Sequence, residues 1–144
     1  MQQPLEHQTR QEVMPLATIN VTNLRLRTYI GFNAEEKVKQ QDVVINMEIR
    51  YRLPEEALQD HVDDALNYKT ITKRVIQHVE EGRFLLLEKL VGDVLAICSD
   101  HPAVVWSRVT IDKPHALRFA DSVSLSLEYR TETARQLRIL EKAS

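Results

Sequence analysis

The chain has 144 residues, 43% of them hydrophobic and 28% charged, with a formal net charge of −2. This length fits one folded domain, and so small a charge gives no electrostatic basis for binding nucleic acid or an anionic membrane. Cys98 is the single cysteine and no apolar run reaches the length of a membrane span, so we expect no disulfide, no membrane attachment and a reducing, cytoplasmic location.

The N-terminal part of the sequence predicts an arm followed by a β-hairpin. Residues 1–15 are polar, rich in glutamine and aperiodic, which is typical of a flexible arm. Residues 16–30 alternate between apolar and polar, but the alternation slips by one position near Asn23, which predicts one long strand with a bulge. Gly31 ends this strand. Residues 43–53 alternate more regularly, which predicts a half-buried second strand paired with the first.

Two helices are predicted in the middle of the chain, after an acidic connection at residues 55–66. Asn67 is a favourable N-cap for a helix whose apolar positions recur with helical spacing until Gly82. A second helix is predicted over residues 85–99. Cys98 falls on its apolar stripe, which favours a buried thiol over a nucleophile.

Two further strands are predicted over residues 104–113 and 123–129, followed by a C-terminal extension at 131–144. The order ββααββ over residues 16–130 predicts an α+β fold, an open antiparallel sheet with two helices on one face. Such a sheet has two exposed edges, which subunits can cover by closing into a symmetric ring. A homo-oligomer is therefore expected.

One carboxylate falls where a carboxylate is unfavourable. If the second helix includes Phe84, helical spacing places Phe84, Glu88, Val91 and Leu95 in one line of its apolar stripe. A carboxylate held away from water needs a hydrogen-bond donor. Glu88 either stabilises the first turn of its helix or accepts two parallel N–H bonds from the flat, guanidine-like edge of a ligand.

Three other polar residues are candidates for chemistry, each with a structural alternative. Lys113 shares a strand face with Val109 and Ile111, so desolvation would lower its pKa and make a neutral amine accessible. Alternatively, its stem packs while its ammonium reaches water. Tyr68 opens the first helix, where a core residue with a wet hydroxyl is common. Glu36 lies in a polar loop, where most glutamates are simply solvated.

Several familiar site types are not predicted. The five histidines show no paired ligand spacing, and with one cysteine a zinc site is not expected. Three glycines do not suffice for a phosphate-cradling loop or a dinucleotide fingerprint. Neither a metal nor a cofactor is expected, so the chemistry must rest on scattered acid–base groups.

Four segments carry a resemblance to a known family. They read RLRTYIG at 25–31, DALNY at 64–68, LLEKL at 86–90 and IDKP at 111–114. In this order and spacing they resemble the signature segments of the dihydroneopterin aldolase family, and the resemblance covers residues 16–130. Residues 24–28 and 113–122 are most similar to the branch of that family that epimerises C2' of dihydroneopterin triphosphate.

The resemblance implies the tunnelling fold and an arrangement of subunits. In this fold antiparallel ββααββ subunits close into a tetrameric barrel, which is commonly doubled to an octamer. The sites of the family lie between subunits. Tyr68 would therefore reach the ligand from a neighbouring chain.

The resemblance also implies roles for the candidate residues. Glu88 would anchor the 2-amino group and ring N–H of a pterin, with the backbone at Leu87 helping. Lys113 matches the catalytic lysine and would shuttle a proton. Glu36 would orient the side-chain hydroxyls, and Tyr68 would transfer a second proton or position the substrate.

A triphosphate group would need cations, for which guanidinium groups are well suited. The candidates are Arg25, Arg27, His115 and Arg118. The two strand arginines alternate away from Leu24 and Leu26, so a solvated strand face is the alternative.

Three functions remain open at this point. The first is an isomerase that converts 7,8-dihydroneopterin triphosphate into 7,8-dihydromonapterin triphosphate, with aldolase cleavage as a side reaction. The second is a dihydroneopterin aldolase, a lyase of folate biosynthesis. The third is a pterin-binding scaffold without turnover.

Overall fold

The computed structural model describes residues 15–62 and 65–132, which form five strands and three helices. The predicted arm and C-terminal extension lie outside the described residues, apart from positions 15, 131 and 132. The elements are β1 (Leu16–Ile30), β2 (Gln41–Arg52), α1 (Glu55–Leu58), α2 (Tyr68–Glu81), β3 (Arg83–Phe84), α3 (Leu87–Cys98), β4 (Val104–Pro114) and β5 (Ser122–Arg130).

The strands form one sheet in the order β3-β1-β2-β4-β5. The four long strands pair antiparallel, as the sequence predicts, whereas β3 pairs parallel with the end of β1. The sequence missed β3 and α1. Two residues are too few for an alternating pattern, and one helical turn is too short for a helical one.

The predicted bulge in β1 is confirmed. Pairing between β1 and β2 shifts between Val21 and Leu24, and Asn23 takes a φ of 55° there. Asparagine tolerates this left-handed conformation better than most residues. Its N–H donates to Oδ1 of Asn46 on β2 at 2.9 Å, so the amide that leaves the ladder still has an acceptor.

The start of α2 also agrees with the sequence. The side chain of Asn67 accepts hydrogen bonds from the N–H groups of Lys69 and Thr70, which fixes the first turn. The helix ends at Glu81, before Gly82.

The core lies between the sheet and the two long helices, α2 and α3. Helix residues such as Val79 and Val94 are fully buried against sheet residues such as Ile45 and Ile111. Cys98 is buried here as predicted, and burial raises the pKa of its thiol to about 12, so it is inert at neutral pH. None of the helices in the described part of the chain is long and apolar enough to cross a membrane.

The opposite side of the sheet carries no helix and is called the helix-free face. On β1 its residues include Arg25 and Arg27, which alternate with the core-facing side chains. On β2 and β4 they include Arg50, Trp106 and the exposed Arg108. The guanidinium carbon of Arg50 lies 4.2 Å from the centre of the Trp106 ring. This face is therefore polar and rich in arginine.

Candidate active site

A cavity of about 320 Å³ lies where the end of β1, the start of α3 and the end of β4 meet. Its volume is within the range of small-molecule sites. Four of the predicted site residues line it, namely Glu36, Leu87, Glu88 and Lys113. The remaining wall is largely apolar and includes Leu86.

The polar centre of the cavity is an ion pair between Lys113 and Glu36. Nζ of Lys113 donates to Oε2 of Glu36 at 2.8 Å, and the two side chains are only 13% and 23% exposed. The Lys113 hydrogen bond holds the pKa of Glu36 below its usual value. Burial opposes this shift, and hydrogen bonds from Gln41 and the N–H of Asn33 assist it.

The structure shows what surrounds Lys113. It shares a face with the fully buried Val109 and Ile111, as predicted. Its ammonium has a partner at the apolar margin, because Glu36 reaches it from 77 positions away in the sequence.

Gly31 makes room for this ion pair. Its φ of +130° is open to glycine, and a Cβ added there would overlap the carboxylate of Glu36. The sequence identified Gly31 only as the end of a strand. The carboxylate of Glu36 thus lies directly against the backbone of β1.

The prediction of a buried Glu88 in line with Phe84 is wrong. Phe84 belongs to β3, and α3 begins three residues later, at Leu87. Glu88 is therefore in the first helical turn, exposed at the cavity, and has no hydrogen-bond or ion-pair partner within residues 15–62 and 65–132. The N-cap residue Leu86 offers no side-chain cap, so a negative charge also stabilises this helix end.

Tyr68 lies away from the cavity of its own chain. It is the first residue of α2 and is 52% exposed. The 14 residues of α2 span about 20 Å, and the far end of the helix leads into β3 beside the cavity. One chain by itself therefore does not bring Tyr68 to Lys113.

Three of the four predicted phosphate-binding residues line a separate cavity of about 350 Å³, namely Arg25, Arg27 and His115. Arg27 is paired there with Asp42 at 3.5 Å. Arg118 does not line this cavity, and its guanidinium carbon lies 5.5 Å from the ring centre of Phe119.

Sequence reasoning missed the part played by Gln41. Its Nε2 donates to the carbonyl oxygen of Ile30 at 2.6 Å and to Oε2 of Glu36 at 3.3 Å. It thereby ties the loop glutamate to the end of β1. An amide at the start of β2 gives no sequence signal for this contact, which depends on how the hairpin loop folds back.

Comparisons with known proteins identify the family to which this chain is similar. The family model for FolB, dihydroneopterin aldolase, matches residues 19–128. The chain is 52% identical over 116 residues to the dihydroneopterin triphosphate 2'-epimerase of Escherichia coli strain K12, an alignment that covers 81% of this chain and 97% of that protein. It is 30% identical over 108 residues to the dihydroneopterin aldolase of the same strain, covering 75% and 88%.

A solved structure has the same fold. The crystal structure of E. coli dihydroneopterin aldolase in complex with neopterin has a TM-score of 0.72 to this chain at 28% identity, covering 78% of this chain and 98% of that one. The family match, the relatives and the fold all extend over most of the described residues. The chain therefore belongs to the dihydroneopterin aldolase family.

Proposed function

We propose that this chain is a dihydroneopterin triphosphate 2'-epimerase, which inverts C2' of 7,8-dihydroneopterin triphosphate to give the dihydromonapterin epimer. The observation that carries the proposal is one cavity that combines the ion pair of Lys113 and Glu36 with the carboxylate of Glu88, which has no partner among the described residues. The relative named as an epimerase is 52% identical, against 30% for the one named as an aldolase, which favours epimerisation over cleavage.

The pterin ring would bind with its flat faces against the apolar wall of the cavity. Glu88 would accept two parallel N–H bonds from the 2-amino group and the neighbouring ring nitrogen, a geometry to which a carboxylate is well matched. The backbone at Leu87, in the first turn of α3, would help to hold the ring edge. With the ring fixed, the side chain of the substrate extends towards the ion pair.

The reaction follows from the electronic structure of the substrate. Removal of the proton from the 2'-hydroxyl turns C2' into an aldehyde carbon and breaks the C1'–C2' bond. The bonding electrons pass into the ring system, which is protonated at N5, so no Schiff base with the protein is required. Attack of C1' on the opposite face of the aldehyde re-forms the bond, and the alkoxide regains a proton, with C2' inverted.

In this scheme Lys113 is the proton shuttle and Glu36 orients the hydroxyl groups. The hydrogen bond between them holds the two side chains next to each other. Substrate hydroxyls entering the cavity would compete for the same carboxylate and bring the proton to be moved within reach of Lys113. Tyr68 would supply a second proton-transfer or positioning group from a neighbouring subunit.

The finer assembly is also a proposal. A tetrameric barrel, doubled to an octamer, would place the Tyr68 of one chain beside the cavity of the next. Its support is the separation of Tyr68 from the cavity of its own chain and the exposure of Leu127 and Tyr129 on the edge strand β5, at 36% and 37%. A cytoplasmic location remains our proposal as well, supported by the single, buried cysteine.

Product analysis tests the function directly. The protein is incubated separately with 7,8-dihydroneopterin triphosphate and with free 7,8-dihydroneopterin, and the pterins are separated chromatographically. We expect dihydromonapterin triphosphate to dominate with the first substrate. Dominant 6-hydroxymethyl-7,8-dihydropterin with both substrates would favour the aldolase, and tight pterin binding without any product would favour a binding protein.

A further inference from the structure

Two further cavities are linked to the active-site cavity by shared lining residues. The second cavity, of about 350 Å³, shares Glu36 and Ala116 with the active-site cavity and is also lined by Lys39 and His115. The third cavity, also of about 350 Å³, shares His115 with the second and is lined by Arg25 on the helix-free face. This series of three adjoining cavities is called the path.

The basic side chains along this path differ in whether they already have hydrogen-bond or ion-pair partners. Arg25 and Lys39 have no hydrogen bond or ion pair in the described part of the chain. Arg27 is paired with Asp42 at 3.5 Å and donates to the carbonyl oxygen of Gln40 at 3.1 Å. Arg27 is therefore part of the wall of the path, whereas Arg25 and Lys39 are available to bind an anion.

His115 occupies the corner at which the path turns onto the helix-free face. It has a φ of 63°, the left-handed conformation, at the first residue after β4. Lys113, two residues earlier, is in the active-site cavity, while His115 lines the other two. The turn after Pro114 thus places His115 on the path, two residues after Lys113 in the active-site cavity.

We propose that Lys39, His115 and Arg25 bind the triphosphate throughout the reaction and so retain the aldehyde fragment after the C1'–C2' bond has broken. The inference rests on the proposed epimerase function and deepens it. Cleavage leaves the triphosphate on the two-carbon fragment, since the phosphate ester oxygen is on C3' and the new aldehyde is C2'. The fragment is therefore an anion that these three side chains can hold.

Retention decides which product forms. While the phosphate end is bound, the aldehyde carbon stays beside C1' at a high effective concentration and can present its other face for attack. If the fragment leaves first, C1' takes up a proton instead and the product is the hydroxymethyl pterin. The two outcomes are competing rates from one intermediate, so a tenfold faster escape changes the product ratio tenfold.

Acidic residues on the path offset part of its positive charge. Phosphate groups are therefore attracted through contacts with individual side chains and not by the path as a whole. Glu35 lines the second cavity and Asp42 the third, where Asp42 is engaged by Arg27. Because Arg25, Lys39 and His115 are all exposed, salt screens their interaction with phosphate. Raising the salt concentration should therefore act in the same direction as removing one of the cations.

The test measures the ratio of dihydromonapterin to 6-hydroxymethyl-7,8-dihydropterin formed by the full-length protein. The variants are Arg25→Gln, Lys39→Gln and His115→Asn, the last because asparagine tolerates a left-handed backbone. With the triphosphate substrate we expect each variant to shift the ratio about tenfold towards cleavage and to raise KM. With free dihydroneopterin the ratio should equal that of the unaltered protein, because no phosphate is present.

A matched control separates the path from general effects on charge. Arg108→Gln removes an exposed guanidinium from the same face but from none of the three cavities. This variant should keep the original product ratio. Product ratios within twofold of the unaltered protein in all three path variants would overturn the inference, as would an equal shift in Arg108→Gln. Failure of the unaltered protein to epimerise the triphosphate would instead overturn the proposed function.

Discussion

At the scale of single residues, the site combines two carboxylates in different environments. Glu36 is bonded to Lys113 at 2.8 Å inside the cavity, whereas Glu88 has no partner in the described residues and is exposed. The protein itself thus holds the Glu36 carboxylate in position, whereas the Glu88 carboxylate is available to bind a ligand. One carboxylate can serve the chemistry while the other holds the ring.

The lowered pKa of Glu36 predicts how the free energy of unfolding depends on pH. Because the folded state lowers this pKa below its ordinary value of 4.5, the ionised carboxylate contributes stability above that pH. The contribution is lost as the pH falls through the lower, folded-state pKa. Glu36→Gln should reduce the free energy of unfolding by about 1–3 kcal/mol at pH 7.

The measurement is urea denaturation of Glu36→Gln and the unaltered protein between pH 7 and pH 3. The stability difference should shrink as the pH falls below 4.5, because Glu36 itself becomes protonated. Glu80→Gln, on the exposed side of α2, is the matched control and should differ little at any pH. A constant difference down to pH 3 would contradict the assignment of the stabilisation to this ion pair.

At the scale of elements, the end of β1 and the loop that follows it fix the geometry of the cavity. The N–H of Gly31 donates to the carbonyl oxygen of Phe84 at 2.9 Å, and β3 leads within three residues into α3. Gln41 ties the return of the loop to Ile30. The start of α3, with Glu88, is thereby held at a fixed position relative to Glu36.

Gly31→Ala tests this arrangement. The new Cβ would overlap the Glu36 carboxylate. In addition, the alanine would have to adopt the backbone φ of +130° that Gly31 has. We expect a loss of about 1–3 kcal/mol of stability together with a large loss of turnover, because Glu36 must move away from Lys113. Denaturation and steady-state kinetics measure the two effects.

Gly92→Ala is the matched control for this substitution. A Cβ at Gly92 on α3 would meet its nearest atom, Cδ1 of Leu127, at an ordinary 4.0 Å. Alanine is also the better helix former, so this variant should gain about 0.5–1 kcal/mol and remain active. Equal behaviour of the two variants would show that the space beside Glu36 is not what requires glycine at position 31.

At the scale of the whole molecule, the cavity and Tyr68 lie at opposite ends of α2. The edge strand β5 leaves Leu127 and Tyr129 partly exposed. Both observations agree with a ring in which the edge of one subunit pairs with the next and Tyr68 completes a neighbouring site.

Subunit complementation tests the proposal that the site is shared between subunits. Tyr68→Ala and Lys113→Ala should each lose most activity, because general acid–base groups contribute about 10²–10⁴-fold to rate. Co-expression of the two variants should restore part of the activity, since some sites then combine an intact Tyr68 with an intact Lys113 from different chains. The measurement is the turnover of purified mixed oligomers.

A second pair of variants is the control for complementation. Lys113 and Glu36 line one cavity of one chain, so co-expressed Lys113→Ala and Glu36→Gln cannot produce an intact site. This pair should remain as inactive as its parents. Mixed oligomers of the first pair that show no activity above their parents would contradict a site formed between subunits.

The long elements and their order could be predicted from the sequence, because alternation and helical spacing are local properties of the chain. The bulge at Asn23 and the cap at Asn67 were predictable for the same reason. Other features depend on contacts between distant residues and became visible only in the folded chain: the pairing of Glu36 with Lys113, the place of Phe84 in a short strand, and the exposure of Glu88. Two-residue strands and contacts across 77 positions leave no periodic signal, and only the folded backbone brings them together.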